Sequence, residues 1–259
     1  YYISDVDKRI ELYIMGISFI VLVLLIARKN GLKALFALIV TIAFIIKIFI
    51  PAIYNGYSPI FFAIITTIFS SLVTIYFTVG MNKKFVVALL GVTSGLLIAG
   101  ILSYIFTYRM RLNGFLDSDL LASAYLLKNV KIKELIPAGV IIGSLGAVMD
   151  VAVSITSSIN ELHETDPNMS KKSMFKSAIN IGNDIIGTMI NTLILAYIAS
   201  SIFTLLLIYI QANEYPLIRI LNFQDIAVEI MRSICGSIGI LIAVPLTAYI
   251  GTVIYKKNK

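Results

Sequence analysis

The chain has 259 residues, of which 59% are hydrophobic and 14% are charged, and its mean hydropathy is +0.94. A soluble domain carries about 25% charged residues, so this composition excludes an ordinary soluble protein. The net charge of +7 does not indicate nucleic-acid binding, because Lys and Arg cluster in short runs at the ends of apolar stretches. There they set topology and contact phospholipid headgroups.

Seven apolar stretches reach about 18 residues or more, the length that crosses roughly 30 Å of hydrocarbon. They are predicted as transmembrane helices at residues 10–27, 32–50, 59–79, 85–107, 136–157, 185–210 and 233–255. Regular alternation of apolar and polar residues, which is typical of a membrane barrel, is absent from the sequence. The sequence therefore predicts an all-α, polytopic helical membrane protein that forms one transmembrane domain over residues 1–259.

Basic residues mark alternate connections between the predicted helices. They are Arg28, Lys29 and Lys33, then Lys83 and Lys84, and finally Lys256, Lys257 and Lys259. By the positive-inside rule these connections face the cytoplasm of a bacterial inner membrane, with the N-terminus of this chain outside and the C-terminus inside. The uncharged connection 52–58 fits an outer position, whereas segment 109–133, on the same side, carries five basic residues.

Three connecting segments have the pattern of amphipathic helices that lie in the membrane interface. One follows Asp117, with its apolar stripe at Leu120, Leu121, Tyr125 and Leu127; the second follows a helix-cap candidate, Ser170, with its stripe at Met174, Phe175, Ala178 and Ile179. The third runs from Asn222 directly into the last span. In it, Glu229 and Arg232 are spaced to form an ion pair.

Asp150 is the most informative residue, because an ionisable side chain inside a span costs about 2.5–3.5 kcal/mol on insertion scales. Helical spacing places Ser154, Ser157 or Ser158, and Glu161 on the same face of the fifth predicted helix. Gly143 and Gly146 precede Asp150 and thin the helix. The pattern predicts that this face does not look at lipid.

The sixth predicted helix carries a second polar stripe, at Asn183, Asp184, Thr188, Asn191 and Thr192. Counted from the connection between the two helices, Asp150 and Asn191 each lie about eight residues into the membrane, or roughly 12 Å. Consecutive antiparallel helices usually pack together. We therefore expect Asp150 and Asn191 to approach each other.

Two interpretations of these stripes remain open. In the structural one, hydrogen bonds worth about 0.6–2 kcal/mol fasten the two helices together. In the functional one, Asp150 binds a cation or takes and releases a proton, and its polar neighbours tune that site.

Other residues favour packing over chemistry. Lys47 lies near the end of the second span and can extend its amine to the interface past Pro51. Three glycines of the fourth span, Gly91, Gly95 and Gly100, allow close helix approach, and Pro245 together with Gly236 and Gly239 makes the last helix irregular.

No motif for an enzyme, a cofactor or a metal is found in the sequence. The only histidine, His163, is predicted to sit in a solvated acidic loop, and the only cysteine, Cys235, is a packing residue. A phosphate-binding loop, a two-histidine zinc motif and a nucleophile elbow are all missing. We expect no enzymatic activity and no cofactor.

Three segments resemble the bacterial YibE/F family of membrane proteins. They read GSLGAVMDVAVSITSSINEL at 143–162, GNDIIGTMINTLILAYIA at 182–199 and GSIGILIAVPLT at 236–247. The resemblance implies that Asp150, Asp184 and Asn191 are functional positions, and that an N-terminal span and an extracytoplasmic domain precede Tyr1. The family often has paired acids where this chain reads Met149 and Asp150, and a basic residue where it reads Asn183, so this chain has neither that pair nor that base.

A weaker likeness links the acid-bearing helix, the stretch with Lys172 and Phe175, and the Asn191 helix to the SecD and SecF export proteins and to resistance-nodulation-division transporters. By that analogy, protonation of Asp150 rearranges the fifth and sixth helices. We expect an inner-membrane transporter or export-accessory permease for an unknown small solute or ion. The alternative is a non-transporting scaffold that anchors an extracytoplasmic domain or a partner protein.

Overall fold

The computed structural model describes residues 9–114, 129–211 and 216–256. All regular secondary structure within these ranges is helical, and six of the helices are long and apolar enough to cross a membrane. The all-α, polytopic class predicted from composition is confirmed. The first predicted interfacial segment, at Leu120, Leu121, Tyr125 and Leu127, lies outside the described residues.

The helices follow one another in nine α-helical elements and one π-helical turn. They are α1 (Arg9–Phe44), the π-helix Ile45–Phe49, α2 (Ile50–Tyr54), α3 (Pro59–Val79), α4 (Lys83–Arg109), α5 (Ile132–Thr165), α6 (Lys171–Ser200), α7 (Ile202–Gln211), α8 (Leu217–Leu221) and α9 (Gln224–Tyr255) within the described residues. Side chains cap three of the long helices, because Ser58, Asn82 and Ser170 each accept a hydrogen bond from a backbone N–H three residues later. The cap predicted at Ser170 is confirmed.

The first two predicted spans lie in the helical stretch Arg9–Tyr54, in which two helices meet at a kink and which counts as one of the six long apolar helices. At 1.5 Å per residue its 46 residues make roughly 69 Å of helix in total, enough for two crossings of the hydrocarbon layer. It bends at Arg28, whose backbone is non-helical (φ 47°, ψ −127°). A Cβ on Gly31 would lie 2.7 Å from the carbonyl oxygen of Val23, so only glycine fits the inside of this bend.

Pro51 explains the π-helical turn at residues 45–49. Proline lacks an N–H and its ring clashes with the carbonyl four residues earlier, which here belongs to Lys47. The wider π-turn relieves that clash without ending the helix. Lys47 is exposed in this turn, as the sequence analysis expects.

The core of the molecule lies among α4, α5 and α9, and α4 and α9 share the most extensive interface. Glycine makes this interface close: a Cβ on Gly95 would lie 2.9 Å from the Gly239 carbonyl oxygen, and a Cβ on Gly91 would lie 2.2 Å from the Thr247 hydroxyl. The close approach predicted from the glycines of α4 is confirmed. On the other side of the core, α3 packs against α5, and the later part of α1 packs against α3.

Helix α6 begins at Lys171, so the second predicted interfacial helix is wrong as a separate element. Met174 and Ala178 are fully buried in the core shared with α5 and α9. An apolar stripe looks the same in sequence whether it faces headgroups or a protein core.

The predicted sixth span also ends early, because α6 stops at Ser200 and α7 begins at Ile202.

The third predicted segment joins the last span without a break, because α9 runs from Gln224 to Tyr255, and Arg232 Nη1 donates to Glu229 Oε1 at 2.7 Å. The predicted ion pair is confirmed.

His163 was predicted to lie in a loop, and this is wrong. It lies in the last turn of α5, and its ring packs edge-on against Tyr255, with centroids 5.4 Å apart.

The chain connections gather at two opposite ends of the bundle. At one end, which we call the lysine end, Lys256 Nζ donates to the carbonyl of Pro167, and Lys83 lies over the ring of Tyr255. At the opposite end, Ser58 at the start of α3 donates to the carboxylate of Glu134 in α5. These contacts place the connections 80–82, 166–170 and 256 together at the lysine end, as the predicted alternation requires.

Candidate functional site

The polar residues predicted on the fifth helix form an exposed stripe on α5. Asp150 and Ser154 are exposed, Ser157 is half-buried, and Glu161 is exposed near the lysine end. The opposite side of α5 is buried in the core, where Val151, Ala152 and Ile155 have no exposed surface. Within the described part of the chain, no hydrogen bond or ion pair joins Asp150 to another residue.

Helix α6 carries the matching stripe. Asn183, Asp184, Thr188, Asn191 and Thr192 are all exposed. The two threonine hydroxyls bond to their own helix, since Thr188 Oγ1 donates to the Ile185 carbonyl at 2.8 Å and Thr192 Oγ1 donates to the Thr188 carbonyl at 2.8 Å. The amides of Asn183 and Asn191 and the carboxylate of Asp184 make no hydrogen bond to any described residue.

Two close contacts fix the register between α5 and α6. A Cβ on Gly143 would lie 2.8 Å from the Tyr197 hydroxyl, and a Cβ on Gly182 would lie 3.3 Å from Cδ1 of Ile155. Interpolated between these contacts, Asp150 lies level with Thr188. Asn191 lies about one helical turn, or roughly 5 Å, farther from the lysine end.

The structure differs here from the equal depth that the sequence predicts for Asp150 and Asn191. Asp150 lies 15 residues before the end of α5 at Thr165, whereas Asn191 lies 20 residues after the start of α6 at Lys171. Both helices extend past the predicted membrane boundaries, and α6 does so by more. No hydrogen bond therefore joins Asp150 to Asn191 in the described part of the chain.

At the lysine end the α5 stripe borders a cavity of about 260 Å³ between α5 and α6. Ser158 and Glu161 line it from α5, Asp166 lines it from the connection, and Ile181 lines it from α6. Asp166 caps the connection by accepting a hydrogen bond from the backbone N–H of Asn168 at 3.0 Å. The cavity thus places two carboxylates below the stripe that carries Asp150.

We call the combined stripes the polar face; it consists of Asp150, Ser154, Asn183, Asp184, Thr188, Asn191 and Thr192. Its α6 half lies on the least apolar of the six long helices, and only 11% of the most apolar 18 residues of that helix are buried. The stretch Arg9–Tyr54 is similarly exposed, at 17% buried, but it has the highest mean hydropathy of the six. High hydropathy suits contact with lipid, and the composition of α6 does not.

A second polar cluster lies between α6 and α9, and the sequence analysis recognised only part of it. Glu229 Oε2, Arg232 Nε and the Tyr197 hydroxyl are buried, and none has a hydrogen-bond partner within the described ranges. Tyr197 is the residue that was missed. Its sequence signal is Gly143, because a Cβ there would lie 2.8 Å from the Tyr197 hydroxyl.

A cavity of about 640 Å³ adjoins this cluster, between the end of α6, the start of α7 and the first turns of α9. Tyr197, Glu229 and Ser233 contribute polar groups to its wall, and most of the remaining wall is apolar. This volume is in the range of small-molecule sites. The cavity lies at the end of the bundle opposite the lysine end.

The family model described as YibE/F-like protein matches residues 15–257, which is nearly the whole chain. No curated protein and no solved structure matches the chain.

Proposed function

This chain belongs to the YibE/F-like protein family, and we propose that it is an inner-membrane transporter or export-accessory permease that is coupled to protons or cations through Asp150. The observation that carries the proposal is an exposed carboxylate on a helix that crosses the membrane, within a continuous stripe of polar side chains. Intramembrane acids are costly to insert, and they commonly mark ion pathways and proton relays.

The polar face offers the chemistry that such a pathway needs. A carboxylate can take up a proton or hold a cation, and the hydroxyl and amide groups of Thr188 and Asn191 lie within about one helical turn of its level. Toward the lysine end, Glu161 follows Asp150 by 11 residues, about 16 Å along α5, and opens onto the 260 Å³ cavity. Asp184 lies between these levels on α6. A proton or cation that entered at the cavity would meet acidic groups on its way to Asp150.

We place the lysine end in the cytoplasm of a bacterial inner membrane, following the positive-inside rule. Lys83, Lys84, Lys171, Lys172 and Lys256 all lie at that end. In this orientation the N-terminus of the chain is outside. The cavity beside Tyr197 and Glu229 then opens toward the outer side, where a permease would bind or release its solute.

Proton flux in proteoliposomes tests the proposal. Purified native protein and the variant Asp150→Asn would be reconstituted with a pH-sensitive dye inside, and an inward pH gradient would be imposed in the presence of valinomycin and potassium. We expect native protein to dissipate the gradient and Asp150→Asn to lose that activity. Glu11→Gln, which removes an exposed acid far from the polar face, is the matched control and should retain it.

Repeating the experiment with a sodium gradient and a sodium-sensitive dye extends the test to a cation. Flux that is equal in native protein and Asp150→Asn, with either gradient, would contradict the proposed role of Asp150. Complete absence of flux in both proteins, with both ions, would favour the non-transporting scaffold.

A further inference from the structure

The polar face has the composition of a helix–helix interface, but no helix of the described residues packs against it. Hydrocarbon cannot hydrogen-bond to Asp150, Asn183 or Asn191, so exposing these groups to lipid would cost several kcal/mol in total. The exposed first half of α1 shows what a lipid-facing surface of this chain looks like, with Leu12, Phe19 and Leu25 on the outside.

Two glycines leave the polar face open to the close approach of another helix. In the core, glycines have neighbours pressed against them, as Gly91 has Thr247 and Gly251 has Ile159. Gly146 on α5 and Gly187 on α6 have nothing within 4 Å of a Cβ position, although both lie on the polar face. Small residues let backbones approach closely and are enriched where membrane helices meet.

We propose that a second copy of this chain covers the polar face, so that the ion site at Asp150 is completed by Thr188 and Asn191 of the other copy. The role of this dimer in ion coupling rests on the proposed function. The dimer itself is inferred from the exposed polar face alone. In this dimer α5 of each copy packs against α6 of the other, with the open glycines at the crossing.

The α5 and α6 halves of the polar face complement each other, and for this reason we infer that a second copy covers it. Its α5 half presents the Asp150 carboxylate, an acceptor of hydrogen bonds, and its α6 half presents the amide donors of Asn183 and Asn191 beside the Asp184 carboxylate. A two-fold axis along the membrane normal keeps every residue at its own depth and brings unlike halves together. Asp150 lies about one turn from the level of Asn191, so this axis places the carboxylate near the Asn191 amide.

Cysteine crosslinking in native membranes tests the dimer without any assay of transport. Cys235 is the only cysteine, so Cys235→Ala gives a cysteine-free background. Two differently tagged chains, one with Ser154→Cys and one with Asn183→Cys, which the same register places at one level, would be co-expressed and oxidised with copper phenanthroline. A disulfide forms only where Cα atoms come within about 7 Å.

We expect a reducible product that carries both tags. The matched control places Leu12→Cys in both chains, at an exposed position with apolar surroundings on α1 and at the same depth in each copy, and it should give no such product. Gly146→Leu, added to the Ser154→Cys chain, fills the open space at the crossing and should reduce the product at least fivefold. In a version that keeps Cys235 as its only cysteine, Gly146→Leu should leave that buried thiol as unreactive as in native protein, which verifies folding.

Three results would overturn the inference. The first is no two-tag product while both chains are present and folded. The second is a crosslinked product that contains one tag and a different protein. The third is rapid labelling of Thr188→Cys by a membrane-impermeant maleimide, because this would make the face the wall of a water-filled path. The dimer and the transport proposal can be refuted independently. Crosslinking without ion flux would support the dimer and contradict transport, whereas ion flux without crosslinking would support transport and contradict the dimer.

Discussion

Gly91 of α4 lies against Thr247 of α9 so closely that a methyl group has no space. The three nearest atoms to its Cβ position are all from Thr247, at 2.2, 3.0 and 3.1 Å. Overpacking a core in this way costs about 1–3 kcal/mol. Alanine has a helix propensity about 1 kcal/mol better than glycine, so Gly91→Ala alone is expected to lose up to about 2 kcal/mol.

Gly16→Ala is the matched control, because Gly16 is also helical and has nothing within 4 Å of its Cβ position. The propensity gain is common to both variants, so the difference between them isolates the packing cost, about 1–3 kcal/mol. Thr247→Ala should restore much of the loss when it is combined with Gly91→Ala. On its own it should change little, because the Thr247 hydroxyl has no hydrogen-bond partner within the described ranges.

The free energy of unfolding of these variants can be measured through the reactivity of Cys235. Its side chain is 1% exposed, so a maleimide reacts with it only when the bundle opens. Labelling would be followed in detergent as the fraction of SDS is raised, and the midpoint converted to a free energy of unfolding. Equal midpoints for Gly91→Ala and Gly16→Ala would refute the packing argument, as would failure of Thr247→Ala to restore stability.

The same labelling assay checks three further predictions. Glu229→Gln removes the carboxylate that pairs with Arg232; both side chains are 24% exposed, so we expect a loss of about 1–3 kcal/mol, less than for a fully buried pair, and no loss would show that the pair is not structural. Tyr197→Phe removes a hydroxyl without a partner among the described residues and should leave stability unchanged or raise it by about 1 kcal/mol, whereas a clear loss would mean that the hydroxyl binds a solute or water. Tyr255→Phe removes the 2.9 Å hydrogen bond to Asn160 Oδ1 and should cost about 0.5–1.5 kcal/mol, and an unchanged midpoint would contradict a structural role for that bond.

The features that local chemistry determines could be predicted from the sequence. The charge-free length of the spans, the Ser170 cap, the Glu229–Arg232 spacing and the glycines of α4 each act within one helix or across one contact surface. The place of the first connection could also be predicted, because the helix breaks at Arg28, between the first two predicted spans. Its form could not be predicted, because a run of basic residues does not distinguish a kink at one residue from a loop.

In the candidate site, too, the features set within one helix could be predicted from the sequence and those set by tertiary contacts could not. The two polar stripes and their faces follow from helical periodicity, and the structure places them side by side on α5 and α6. Their relative depth could not be predicted, because it depends on where each helix ends outside the membrane. Tyr197 was missed because its burial arises from tertiary contacts with Gly143 and Gly236, which lie far from it in sequence.

The proposed function requires that Asp150 gains and loses a proton or a cation in the membrane. Infrared difference spectra of reconstituted protein, recorded between low and high pH and then with and without sodium, measure this directly. We expect a carboxyl band that changes with pH or with sodium in native protein and in Glu11→Gln, and that is missing from Asp150→Asn. A difference spectrum of Asp150→Asn identical to that of native protein under both conditions would contradict the proposed function.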